Sequence, residues 1–246
     1  GSATNDGGAG MLAELGARFL DASGRRIGTS PDALAALASV DLRGMDPRLA
    51  GLRVEAACDV DNPLLGERGA SAVFGPQKGA APEDVEFLDS VLERWAEASG
   101  RRELAQRPGA GAAGGLGFAL LAFLGAALEP GVELVSRAVG LAGAVTGAEL
   151  VLTGEGSVDA QTPAGKTPAG VARTAAARGV PTVILAGRVK PDADVLLSTG
   201  CVAILSVSQG QAQSLAQMLR AAPVSTERAA ATVMRLWTRR PGPAAI

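Results

Sequence analysis

Apolar runs alternate along this chain with glycine-rich, carboxylate-bearing punctuation. Met11, Leu12, Leu15 and Phe19 recur at helical spacing after a small-residue loop in which Thr4, Asn5 and Asp6 are candidate helix caps. A loop entering a helix N-terminus suits an anion, with an ordinary Asx cap as the alternative. Ser30-Pro31-Asp32 opens a short helix, and residues 52–58 alternate apolar with polar before turning small and apolar, as a strand does on entering a core. Phe87, Leu88, Val91, Leu92 and Trp95 mark an amphipathic helix read as core packing. Residues 118–128 and 135–145 predict two further helices.

From residue 149 the pattern changes. Strands are predicted over 149–153, 182–186 and 202–207, and helices over 170–177, 211–221 and 225–238, with a frayed tail over 239–246. Such alternation implies a parallel sheet. The expected fold class is α/β, as two α/β domains with mainly parallel sheets: residues 1–146 as a substrate-side, inserted-type domain, and 147–246 as the C-terminal part of a Rossmann-like domain.

Composition narrows the chemistry. A 47% hydrophobic content with 20% charge describes a folded chain, and a net charge of −2 offers no basic footprint for nucleic acid. With no histidine, triads and imidazole metal sites are excluded. Cys58 and Cys201 match neither a disulfide framework nor a metal spacing, which points to a reducing, cytoplasmic compartment. No apolar run reaches the roughly 20 residues of a membrane span. The chain opens on Gly1-Ser2 in place of Met and reads as trimmed.

Five stretches carry candidate chemistry. Asp59, Asp61 and Asn62 gather where a strand stops at Pro63, able either to hold Mg²⁺ or a polyol or to form a solvated turn. Lys78 sits in a glycine-punctuated loop. Gly109, Gly111 and Gly114, with Gly115 beside them, fit G-x-G-x-x-G, but residues 103–107 make a poor preceding strand. The reading that survives is a loop whose bare backbone approaches something closely. Residues 160–167 miss a Walker loop by its leading glycine, leaving Lys166 near a helix N-terminus as a point charge for phosphate. Glu155 and Asp159, four residues apart, are the candidates for a Mg²⁺ ligand or a base. Together these suit phosphoryl transfer to an alcohol, or equally a non-catalytic anion binder.

In their order, Gly-Ser-Ala-Thr-Asn-Asp-Gly-Gly at 1–8, Ala-Cys-Asp-Val-Asp-Asn-Pro-Leu at 57–64, Val-Phe-Gly-Pro-Gln-Lys-Gly-Ala at 73–80, the glycine loop at 109–117 and Leu-Thr-Gly-Glu-Gly at 152–156, followed by Asp159-Ala-Gln-Thr162 and Gly165-Lys166, resemble the bacterial glycerate kinases. The resemblance implies ATP- and Mg²⁺-dependent phosphorylation of D-glycerate to 2-phosphoglycerate, in a cleft between two domains. It implies cleft residues Ser2, Thr4, Asn5, Asp6, Asp59, Asp61, Asn62, Lys78, Glu155, Asp159 and Lys166. A small-molecule substrate is then the expected partner, alongside a homodimer and with neither nucleic acid nor membrane. Two departures stand out. The family's upstream strand and its two upstream loops have no counterpart here, so an N-terminally truncated, catalytically inactive fragment or small-anion binder is the rival expectation. Ser157 stands where the family usually has arginine.

Overall fold

A computed structural model describes residues 2–208 and 214–239, and the chain divides into two compact units, Gly1–Gly131 and Val132–Ile246. Both mix helices with short sheets, and the fold is α/β with parallel pairing.

The first unit runs α1 (Ala9–Glu14), β1 (Arg18–Leu20), α2 (Pro31–Leu34), β2 (Ser39–Asp41), β3 (Glu55–Ala57), α3 (Ala70–Phe74), α4 (Asp84–Ala98), α5 (Ala112–Leu124) and β4 (Ala127–Glu129). β1 pairs antiparallel with β2, while β3 pairs parallel with β4, Ala56 opposite Leu128. Ser30 caps α2 by accepting from the Ala33 N–H, with Pro31 pre-set in the first turn. Trp95 of α4 anchors the core. Fully buried, it stacks on Phe123 with centroids 5.3 Å apart and meets Phe118 edge-on at 6.1 Å. Val91 and Leu92 are buried beside it, whereas Phe87, also expected in the core, is 41% exposed.

Two predicted boundaries move. Phe19 lies in β1, because α1 closes at Leu15. The helix expected over 118–128 stops at Leu124, where Gly125 takes a left-handed φ of 59°. The chain then turns into β4, which supplies β3 with its parallel partner.

The second unit takes α6 (Gly131–Ala138) from its second residue and contains α7 (Leu141–Ala144), β5 (Val151–Val158), α8 (Thr167–Ala176), β6 (Thr182–Val189), β7 (Cys201–Ser206) and α9 (Leu215–Thr238). The three strands form one parallel sheet in the order β5-β6-β7. β6 is covered on both faces: Ile184 and Ala186 pack with Ala169 and Ala172 of α8, and Val183 and Leu185 with Ala229 and Val233 of α9.

β5 runs well past the strand expected over 149–153, through Gly154 to Val158, because its ladder with β6 continues to the pair Val158 and Val189. A side chain at Gly187 would lie 2.7 Å from the Gly156 carbonyl oxygen, so the bare glycine keeps the two strands close. The helices expected over 211–221 and 225–238 are one helix, opened by a Ser214–Gln217 capping box and carrying Pro223 inside it. Residues 211–213 of the first prediction, and 240–246 of the tail, lie outside the described residues.

Candidate functional site

In the first unit the N-terminal loop, Lys78 and the glycine loop come together. The Lys78 ammonium donates to Ser2 Oγ at 2.9 Å and to the Thr4 carbonyl oxygen at 2.6 Å. Burial pushes its pKa down, opposed by the Asp6 carboxylate. Asp6 accepts from the Gly8 and Gly10 N–H groups, a local Asx-type contact two residues ahead of Gly8, which is itself the N-cap of α1 and has no side-chain cap. Asn5 Nδ2 donates to the Oγ of fully buried Ser71 at 3.0 Å, while Asn5 Oδ1 is buried with no hydrogen-bond partner.

The close approach expected of the glycine loop is to the chain's own backbone. A side chain at Gly114 would lie 2.0 Å from the Thr4 carbonyl oxygen and 2.7 Å from Lys78 Nζ; at Gly111 it would lie 2.1 Å from the Pro63 carbonyl oxygen. Gly109 is crowded by Leu128 and Cys58, and Gly115 by Gly7 and Leu64. The Gly7 N–H donates to the Gly114 carbonyl oxygen at 3.0 Å. Gly114 and Gly115 therefore hold Thr4 and Gly7 in place, whereas Gly111 and Gly109 close on Pro63 and on Cys58 and Leu128.

The Asp59, Asp61 and Asn62 group is engaged locally. Asp59 accepts from the Gly131 N–H at 2.8 Å, at the start of α6. Asp61 pairs with exposed Arg68 at 3.0 Å, and Asn62 donates to the Arg68 carbonyl oxygen at 2.8 Å. Asp59 thus turns to Gly131, while Asp61 and Asn62 share Arg68.

In the second unit Asp159 is the centre of a cluster. It follows β5 directly and is only 9% exposed. Its Oδ1 accepts from the Gln161 N–H at 3.1 Å, Thr162 Oγ at 3.2 Å and Lys166 Nζ at 3.3 Å, and its Oδ2 from Lys190 Nζ at 2.9 Å. Fully buried Thr162 also accepts from the Asp159 N–H. The Lys190 hydrogen bond foremost, with that from Lys166 and the charge of both, holds the Asp159 carboxyl well below the usual carboxylate range.

Glu155 lies on β5 itself, exposed, its Oε1 accepting from the Gly156 N–H at 3.2 Å. Four residues of nearly extended chain separate Glu155 from Asp159 by roughly 13 Å between Cα atoms. With each Asp159 oxygen already paired with a lysine ammonium, the two carboxylates do not fit a shared Mg²⁺ site. Among the described residues no group of three or more carboxylates or cysteines is placed to hold a metal ion.

An apolar cavity of about 920 Å³, bounded by Leu152, Leu185, Val207, Leu215 and Leu219, reaches Glu155 and Arg188 but not Asp159, Lys166 or Lys190. Arg188 stands directly across from Ser157 in the β5–β6 register.

Sequence reasoning missed Lys190, Ser71 and Thr162. Ending the strand predicted from residue 182 at residue 186 left Lys190 unplaced, yet it follows β6 as Asp159 follows β5, and its N–H donates to the Val158 carbonyl oxygen at 3.0 Å. No helix among the described residues is long and apolar enough to cross a membrane.

A family model described as the glycerate kinase family matches residues 1–238. A glycerate kinase of Bacillus subtilis (strain 168) is 47% identical over 213 residues, covering 85% of this chain and 56% of the relative. A glycerate 2-kinase of Escherichia coli (strain K12) is 46% identical over 210 residues, covering 84% and 55%. A crystal structure of a Salmonella typhimurium LT2 protein superposes with a TM-score of 0.79 at 42% identity, covering 98% of this chain and 63% of that one. The chain thus spans little more than half the length of the curated relatives it matches. On a match from residue 1 to residue 238 and on these identities, the chain belongs to the glycerate kinase family.

Proposed function

We propose that the chain carries machinery for transferring the γ-phosphoryl group of ATP to a hydroxyl of D-glycerate, giving 2-phosphoglycerate in the cytoplasm. The observation that carries this reading is the Lys166–Asp159–Lys190 cluster at the carboxyl ends of β5 and β6, where parallel sheets bind phosphates. Family membership supplies the substrate class.

The second unit serves the nucleotide. Its lysines neutralise phosphate charge, and its apolar cavity offers the surface a purine ring needs. Glu155 is the better proton acceptor of the two carboxylates, since each Asp159 oxygen already accepts from a lysine ammonium while Glu155 accepts only from the Gly156 N–H. Mg²⁺ would enter on the nucleotide's own phosphates, where it supplies charge neutralisation. The first unit serves the acid: the Lys78 ammonium suits the glycerate carboxylate, and the unpartnered Asn5 Oδ1 is an acceptor for a substrate hydroxyl.

The test is ADP release by this chain with ATP, Mg²⁺ and D-glycerate. ADP formed in step with 2-phosphoglycerate supports the reading. Binding of ATP or glycerate with no ADP above background overturns it and leaves a small-anion binder.

A further inference from the structure

We infer that Lys190 is a second phosphate-binding cation, paired with Lys166 across Asp159, and that Asp159 is their organiser and not a base. The inference deepens the kinase reading and rests on it for the identity of the ligand, a polyphosphate chain.

Charge comes first. One carboxylate faces two ammonium groups, so the cluster carries a net positive charge after its internal pairing. A structural ion pair needs one lysine; a second is surplus unless a further anion arrives.

Donor capacity agrees. Each ammonium has three N–H donors and gives one to Asp159. Both side chains stay open to solvent, 42% exposed at Lys166 and 49% at Lys190, while the Asp159 side chain between them is 13% exposed. The acid is enclosed, and the cations point their remaining donors outward.

Geometry fixes the pair. The Lys190 N–H extends the β5–β6 ladder by one step onto the Val158 carbonyl oxygen, so the lysine leaves the sheet beside Asp159. Lys166 is the N-cap residue of α8, whose N-terminal end also favours an anion. Two cations tied to one buried carboxylate are held in place before the ligand comes, which lowers the ordering cost of binding it.

The experiment is a calorimetric titration of the protein with inorganic tripolyphosphate and, separately, with MgATP, alongside turnover. Lys190→Met is expected to weaken both about tenfold or more, and Lys190→Arg by no more than about threefold, as for loss or retention of a charged hydrogen bond. The double variant Lys190→Met with Asp159→Asn also removes the negative charge that Lys190 offset, which in the single variant sets Asp159 against Lys166 alone. If Lys190 only neutralised Asp159, this variant would regain wild-type affinity; with Lys190 on the ligand it stays weak. Wild-type protein that fails to bind tripolyphosphate, Lys190→Met within about twofold of wild type, or recovery in the double variant each overturns the inference. Lys190-dependent tripolyphosphate binding without glycerate turnover sinks the kinase reading alone. Turnover with an unchanged KM for ATP in Lys190→Met sinks this inference alone.

Discussion

The indole N–H of Trp95 donates to the Gly7 carbonyl oxygen across 2.9 Å, tying the central core residue of the first unit to the loop that holds Asn5 and Asp6. Trp95→Phe keeps an aromatic ring but leaves that carbonyl without its donor. Urea denaturation should show a loss of about 1–3 kcal/mol from the orphaned acceptor, in addition to the lost volume. A variant as stable as wild type would mean the bond contributes nothing.

Gly114 and Gly140 make a matched pair. Both hold left-handed backbone, φ 73° and 67°, but a side chain at Gly114 meets Thr4 and Lys78, whereas at Gly140 it meets nothing within 4 Å. Alanine should cost each roughly 1 kcal/mol in backbone strain. Only Gly114→Ala should also displace Lys78 and weaken D-glycerate binding in a titration. Equal glycerate affinity in the two variants would sever the loop from the substrate.

Asp159 gives a signed pH dependence. Its carboxyl is held down in the folded state, so its contribution is fully present above the unfolded value, about 3.9, and is lost as pH falls through the folded one. The stability gap between wild type and Asp159→Asn should therefore be widest near neutrality and close below about pH 4. A gap constant from pH 7 to the acid limit would remove the ion pairs from the account.

Glu155 separates catalysis from stability. It is exposed and bonded only to its own neighbour's N–H, so Glu155→Gln should leave the melting temperature unchanged while lowering kcat by about 10²–10⁴, the range for a general base. A larger fall in kcat for Asp159→Asn, at unchanged ATP affinity, would move the base to Asp159.

Much of this was legible in residues. The parallel sheet of the second unit followed from apolar runs alternating with helical patterns, and Trp95 from its spacing on α4. What the pattern hid has physical reasons. Gly154 and Gly156 look like loop residues, yet they belong to β5 because pairing with β6 overrides their low strand propensity. β4 is three residues long and continues an apolar helix, so only Gly125 hinted at the break. At the candidate site, Asp159 and Lys166 stood out by local spacing. Lys190, 31 positions from Asp159, joins them only through the sheet register. The glycine loop was read as bare backbone approaching something closely, and what it approaches in the fold is the chain itself at Thr4, Gly7 and Pro63.

Pro223 divides α9 into halves of unequal protection. Proline has no N–H to give the Leu219 carbonyl oxygen, so the helix loses a rung there. The half after it holds Ala229 and Val233 against the sheet, whereas Leu215 and Leu219 before it are 70% and 65% exposed. In amide hydrogen exchange the first half should therefore open on its own and exchange early, while the second is protected nearly as long as β6.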